Sequence, residues 1–177
     1  MKKYYIKKGK HYTDEYSLFG MIPIPKLIVN QEYSKKFKIN KVAFNGAAPE
    51  QDWYNKLWGF GTGLFSRSNS IRVVWEYSKK RNEISFNIYR EVNKEFHFLD
   101  AIVSQQNEVV MSYNPRLRLF RIIVDNDLNK TISYEFDISN KNDNKLMNAS
   151  FVWELHPAFG GKPASDADWW IEQIDLY

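Results

Sequence analysis

The chain has 177 residues, 44% of them hydrophobic and 16% aromatic, and a formal net charge of +4. That is enough apolar material for one packed domain and argues against disorder. With no cysteine, thiol nucleophiles, disulfides and thiolate metal sites are excluded, and no apolar run reaches the roughly 20 residues of a membrane helix.

The head is basic. Residues 1–41 hold ten lysines against Asp14, Glu15 and Glu32, a surplus of seven that leaves a deficit of three over the remainder. Every arginine lies beyond residue 66, so the head offers point charges without bidentate forks. Its first residues, MKKYYIKKGKHY, carry no apolar core segment and do not read as a secretory leader. Pro23 and Pro25 restrict their stretch to an extended edge or arm. Residues 1–30 are therefore expected to form an extended arm and residues 31–177 a β-domain.

From there the text reads as strands and turns. Residues 33–39 alternate apolar residues with lysines. Residues 70–77 place Ile71, Val73, Trp75 and Tyr77 on one face, and Ile84, Phe86 and Ile88 alternate with Ser85, Asn87 and Tyr89, which predicts a hairpin. Further strands are expected over 96–103, 109–113, 117–124, 131–138, 151–155 and 169–176. One helix is predicted after Pro49, where Glu50 and Asp52 suit the positive helix end, Trp53/Leu57 and Tyr54/Trp58 are four apart, and Gly59 ends the run. Residues 140–144 read as a polar loop. Many short strands with almost no helical period predict an all-β, two-sheet antiparallel sandwich with one short helix.

Two segments carry a resemblance. Asn55-Lys56-Leu57-Trp58-Gly59-Phe60-Gly61 followed by Ser68-Asn69-Ser70-Ile71-Arg72-Val73-Val74-Trp75, and Phe159-Gly160-Gly161 with Pro163 and Asp166, resemble a group of uncharacterised bacterial and bacteriophage proteins. Their terminal element is similar to the last strands of concanavalin A-like jelly rolls, some polysaccharide lyases included. The resemblance covers roughly residues 50–176 and implies a jelly-roll fold. In that fold Gly160-Gly161 is expected to form a corner between the last strands, since glycine reaches positive φ without a Cβ clash.

Chemistry is sparse. A hydrolytic triad needs a positioned histidine, and only His11, His97 and His156 exist, with no G-x-S-x-G elbow. Neither a G-x-G-x-x-G nor a P-loop lysine follows the glycine pair. Asp125, Asp127 and Asn129 have the opening spacing of a calcium loop, but Lys130 and Phe136 occupy the glycine and glutamate positions. Calcium on Asp125 and Asp127 is kept open and no other cofactor is expected. The lyase resemblance would recruit Arg72, Gln105 and His156. Glycan binding asks for aromatics near loops, and Trp53, Trp58, Trp169 and Trp170 are the candidates for stacking or for an interface. Adjacent Trp169 and Trp170 cannot both point inward on a strand.

The leading expectation is a non-enzymatic structural or adhesion module that decorates a virion or fibre, or binds a surface glycan. The alternatives are a polysaccharide lyase and a self-assembling structural protein. Partners are then other subunits or a glycan; nucleic acid is disfavoured, because basic and aromatic residues interleave only in the head. The expected location is the virion or the cytoplasm of the producing cell.

Overall fold

A computed structural model describes residues 1–7, 9, 24–26, 32–40, 55–62, 69–78, 80–149, 152–155, 157 and 169–176, with backbone alone at 24–26, Trp169 and Asp175. Along the chain run β1 (Lys2–Ile6), β2 (Ile24–Lys26), β3 (Tyr33–Ile39), β4 (Asn55–Gly61), β5 (Asn69–Ser78), β6 (Glu83–Val92) and β7 (Glu95–Phe98). Then come β8 (Ile102–Ser104), β9 (Glu108–Asn114), β10 (Leu119–Val124), β11 (Thr131–Glu135), α1 (Lys141–Met147), β12 (Val152–Leu155) and β13 (Trp169–Asp175).

The strands form two antiparallel sheets, a six-stranded one ordered β1-β13-β3-β9-β10-β11 and a seven-stranded one ordered β2-β12-β4-β5-β6-β7, with β8 also on β6. First and last strands are neighbours in one sheet, and the chain crosses repeatedly between sheets, as in a jelly-roll sandwich. Two-residue alternation builds both layers. Phe37 and Ile39 of β3, Ile71, Val73 and Trp75 of β5, and Ile84, Phe86 and Ile88 of β6 all enter one core. Phe60 joins the sheets there, with ring centroids 4.8 Å from Tyr113 and 6.0 Å from Phe120. Asn93 and Lys94 link β6 to β7 with φ of 51° and 71°, the mirror-image turn that matches hairpin twist.

Four expectations change. The helix predicted after Pro49 is overturned from residue 55 onward, because Asn55–Gly61 is strand β4. A register shift between Lys56 and Trp58 lets Leu57 and Trp58 both bury, which on paper mimics a helical face. The run 96–103 is two strands, β7 and β8, that share the flank of β6. The polar stretch 140–144 opens helix α1: Asn140 caps it by accepting from the N–H groups of Asn142 and Asp143. Lastly, β1 and β2 are basic, extended edge strands, but β1 is more than an arm. Tyr4 and Ile6 enter the core, and Tyr4 OH donates to Gln173 Oε1 at 2.8 Å.

Helix α1 is fixed from afar. Arg90 ends the inward row of β6 and donates from Nη2 to Asp143 Oδ1 at 2.7 Å, while Tyr134 OH donates to Asp143 Oδ2 at 2.8 Å. Leu146 of the same helix is buried in the core.

Candidate functional site

The side chains of β5 and β6 that turn away from the core form a ladder. Ser70 stands opposite Glu91, Arg72 opposite Tyr89, Val74 opposite Asn87 and Glu76 opposite Ser85. On the outside of a sandwich such residues are ordinarily solvated. Here Ser70, Arg72, Asn87, Tyr89 and Glu91 are each 5% exposed or less.

Part of the ladder is internally satisfied. Tyr89 OH donates to Glu91 Oε2 at 3.0 Å, and Ser85 Oγ donates to Glu76 Oε1 at 3.2 Å. Ser70 Oγ, Asn87 Oδ1 and Glu91 Oε1 are buried without a hydrogen-bond partner. Folded proteins pair the large majority of such atoms, so three along one ladder need a reason.

The flanks differ sharply. On one side β7 turns Phe96 and Phe98 outward, 52% and 45% exposed. Phe96 stacks on Tyr89 at 5.7 Å, and Phe98 leans on it at 5.2 Å. On the other side Gly59 faces Arg72 and Gly61 faces Ser70. A Cβ on Gly59 would lie 2.0 Å from Ile71 O and 2.8 Å from Arg72 Cγ, so only glycine lets Arg72 lie flat there. The result is a polar floor bearing one guanidinium, Arg72, and two carboxylates, Glu76 and Glu91, with an aromatic bank beside it.

The expected site residues fall in different places. Arg72 is in the ladder. Gln105 is exposed in the loop after β8, its N–H donating to Asp125 Oδ2 at 2.6 Å. Ser104 pairs with Ile84, five residues along β6 from Tyr89, or roughly 17 Å at about 3.4 Å per residue. Arg72 and Gln105 therefore do not form one site, and His156 lies outside the described residues.

The tryptophans do not cluster either. Trp58 is a core residue, and its Nε1 donates to Glu154 Oε1 at 2.7 Å. That corrects its assignment to a loop platform, since strand β4 carries it inward. Trp170 is half-buried in β13, opposite Tyr5, in the other sheet. Trp169 is in the same strand, with its side chain outside the described residues, as are Trp53 and the glycine pair Gly160-Gly161. Residues 169–175 do form a strand, as expected.

Asp125 already has work to do. At φ 56° it turns the chain, and its carboxylate accepts from Ser104 Oγ, the N–H groups of Gln105 and Gln106, and Lys130 Nζ. Burial pushes its pKa up, but those donors outweigh burial and hold it below the usual carboxylate range. Asp127 accepts from the N–H and Nδ2 of Asn129 in a local turn. Among the described residues no group of three or more His, Cys, Asp or Glu converges as a metal site would.

Sequence alternation alone exposes Ser85, Asn87 and Tyr89 as an outward row. What it lacks is the register that brings Ser70 to Glu91 and Arg72 to Tyr89. Phe96 and Phe98 lie in a run that the sequence marks only as strand, and nothing local marks them as outward.

No family model matches the chain, and no curated protein matches it by sequence. A functionally unknown protein from Saccharomyces cerevisiae matches in structure with a TM-score of 0.51 at 7% identity, over 99% of this chain and 88% of that one. At that identity the likeness speaks to the fold alone. A basic winged bean lectin with Tn-antigen matches with a TM-score of 0.45 at 9% identity, over 99% of this chain and 100% of that one. Neither bears on a bacterial or bacteriophage source.

Proposed function

We propose that the chain is a non-enzymatic carbohydrate-binding module whose ligand rests on the outer face of β5, β6 and β7. The observation that carries this reading is the union of two features on one face. Ser70, Asn87 and Glu91 keep unused hydrogen-bonding atoms in a buried floor, beside exposed Phe96 and Phe98. A sugar ring has the complementary surface: a C–H face for an aromatic bank and hydroxyls for a polar floor. The exposed part of this face is the pair of phenylalanines, and there a glycan lands first. The setting we infer is structural or adhesive, with the chain holding a surface glycan or linking a neighbouring subunit to one.

A glycan array probed with the intact protein and with Phe96→Ala/Phe98→Ala tests this. Selective binding by the parent that the double variant loses, at unchanged melting temperature, supports the reading. Equal binding by both, or none by either, overturns it.

One observation favours a second reading. Arg72 stands opposite Tyr89, and a guanidinium that neutralises a uronate beside a phenol that moves a proton is the chemistry of a polysaccharide lyase. Ultraviolet absorbance from unsaturated uronate ends, released from a polyuronate and abolished by Arg72→Ala, would establish that reading in place of the first.

A further inference from the structure

Beside the aromatic bank the sandwich opens along one edge. There residues of β11, the last strand of the six-stranded sheet, line one groove with the turn that joins β7 to β8. The groove has a volume of about 410 Å³, and its walls include Phe98, Asp100, Ile102, Thr131, Ile132 and Ser133. That size lies within the range of about 300–1,000 Å³ common to small-ligand clefts.

Phe98 belongs to both features. Its ring leans on Tyr89 at 5.2 Å on the outer face, and the residue also lines the groove. Bank and groove therefore adjoin at Phe98. The groove itself is lined by Ile102 and Ile132, by Thr131 and Ser133, and by Asp100. Thr131 Oγ1 donates to Leu128 O at 2.8 Å, which leaves its lone pairs to accept. Asp100 is the only ionisable side chain among the described groove residues. It accepts from sugar hydroxyls, whereas a carboxylate or sulfate placed beside it would meet repulsion with no lining cation to offset it.

We propose that this groove is an extension subsite for a neutral glycan chain, so that the module recognises an oligosaccharide rather than a single sugar and discriminates against uronates and sulfated chains. The inference rests on the carbohydrate-binding reading above and adds to it the length and charge of the ligand.

Calorimetric titration with neutral glucan and mannan probes, as disaccharides and as longer oligomers, and with oligoalginate of matched lengths, tests it. Affinity in a neutral series should rise about tenfold from disaccharide to longer oligomer, the gain expected of one further well-placed contact. Ser133→Trp, which fills the groove from an exposed position, should erase that rise and leave disaccharide affinity unchanged. Asp100→Lys, also at an exposed position, should strengthen oligoalginate binding relative to the parent. Affinity independent of chain length, a length effect that survives Ser133→Trp, or tighter binding of oligoalginate than of any neutral oligomer by the parent would overturn the subsite while leaving the platform standing. Failure of every neutral probe, short and long, to bind would overturn the carbohydrate reading and this inference together.

Discussion

The carboxylate of Glu154, on β12 of one sheet, accepts a hydrogen bond at 2.6 Å from Nζ of Lys35, on β3 of the other. Both side chains are nearly out of water, at 13% and 9% exposure. Trp58 Nε1 donates to the same Glu154 oxygen at 2.7 Å, and the Lys35 ammonium sits 4.9 Å from the Trp58 ring centroid. One ion pair and one indole thus tie the two layers at the margin of the core. Burial and the nearby Glu154 charge both push the Tyr33 hydroxyl above its ordinary pKa.

Breaking that tie from one side should cost more than removing it whole. Lys35→Met alone takes the ammonium from Glu154, which keeps the Trp58 indole, and Glu154→Leu alone takes the carboxylate from Lys35. Each is expected to lose about 3–5 kcal/mol, the range for breaking a buried ion pair from one side. The double variant should recover much of that loss, because two apolar side chains need no hydration. Urea unfolding of the three variants checks this. Additive losses in the double variant would show that the two charges act independently.

The Asp125 clamp has a pH signature. Its folded-state pKa lies below the ordinary value of about 3.9, so its contribution is present in full above that value and is lost as pH falls through the folded pKa. Asp125→Asn tolerates the φ of 56° equally well and so isolates the charge. The variant should be about 1–3 kcal/mol less stable near neutrality, the usual worth of charged hydrogen bonds, with the gap closing in acid. Urea midpoints measured across that pH range provide the test. A gap that persists below the folded pKa would point to lost shape rather than lost charge.

How far the sequence discloses this molecule depends on the distance over which each feature is decided. Strand β3 appears in the sequence with its true bounds, and the β5–β6 hairpin is plain, because alternation over several residues is a local signal. Strand β4 is hidden by its bulge: burying Leu57 and Trp58 together breaks the two-residue period and imitates a helix. Helix α1 is hidden for the opposite reason. Its buried stripe is little more than Asp143 and Leu146, and Asp143 is held by Arg90, 53 residues away along the chain. The candidate site divides in the same way. Arg72 is visible as a charge within an apolar strand, but its neighbours are set by register, and the outward turn of Phe96 and Phe98 is decided by their contact with Tyr89.

Gly59 should be irreplaceable by even one methyl group. Its Cβ would meet Ile71 O at 2.0 Å and Arg72 Cα at 2.6 Å, both backbone atoms that cannot swing aside. Gly59→Ala must therefore separate β4 from β5, at a cost of about 1–3 kcal/mol or more by comparison with overpacked cores. Arg72 would be displaced with it, so glycan binding should fall further than stability does. Gly9→Ala is a useful contrast, since Gly9 has open space around it and only its φ of 77° resists substitution. Similar melting temperatures for Gly59→Ala and the parent would contradict the close approach.

The last prediction separates two tryptophans that look alike in the sequence. Trp58 is 1% exposed, packs at 6.1 Å from Phe60 and donates to Glu154. Its replacement by alanine removes a large buried ring and leaves the Lys35–Glu154 pair without its indole, which should cost about 3–5 kcal/mol. Trp170 is half-buried on the outer side of the six-stranded sheet, where its register partner Tyr5 is 51% exposed. Trp170→Ala should cost under about 1 kcal/mol, as partial burial of a single ring implies. It should also leave glycan binding intact, because the ladder and the aromatic bank belong to the opposite sheet. Sedimentation of the same variant reads out an interface role: a parent that self-associates and a variant that does not would assign Trp170 to a subunit contact. Loss of glycan binding by Trp170→Ala at unchanged stability would move the ligand to the six-stranded sheet and sink the site argued for β5, β6 and β7.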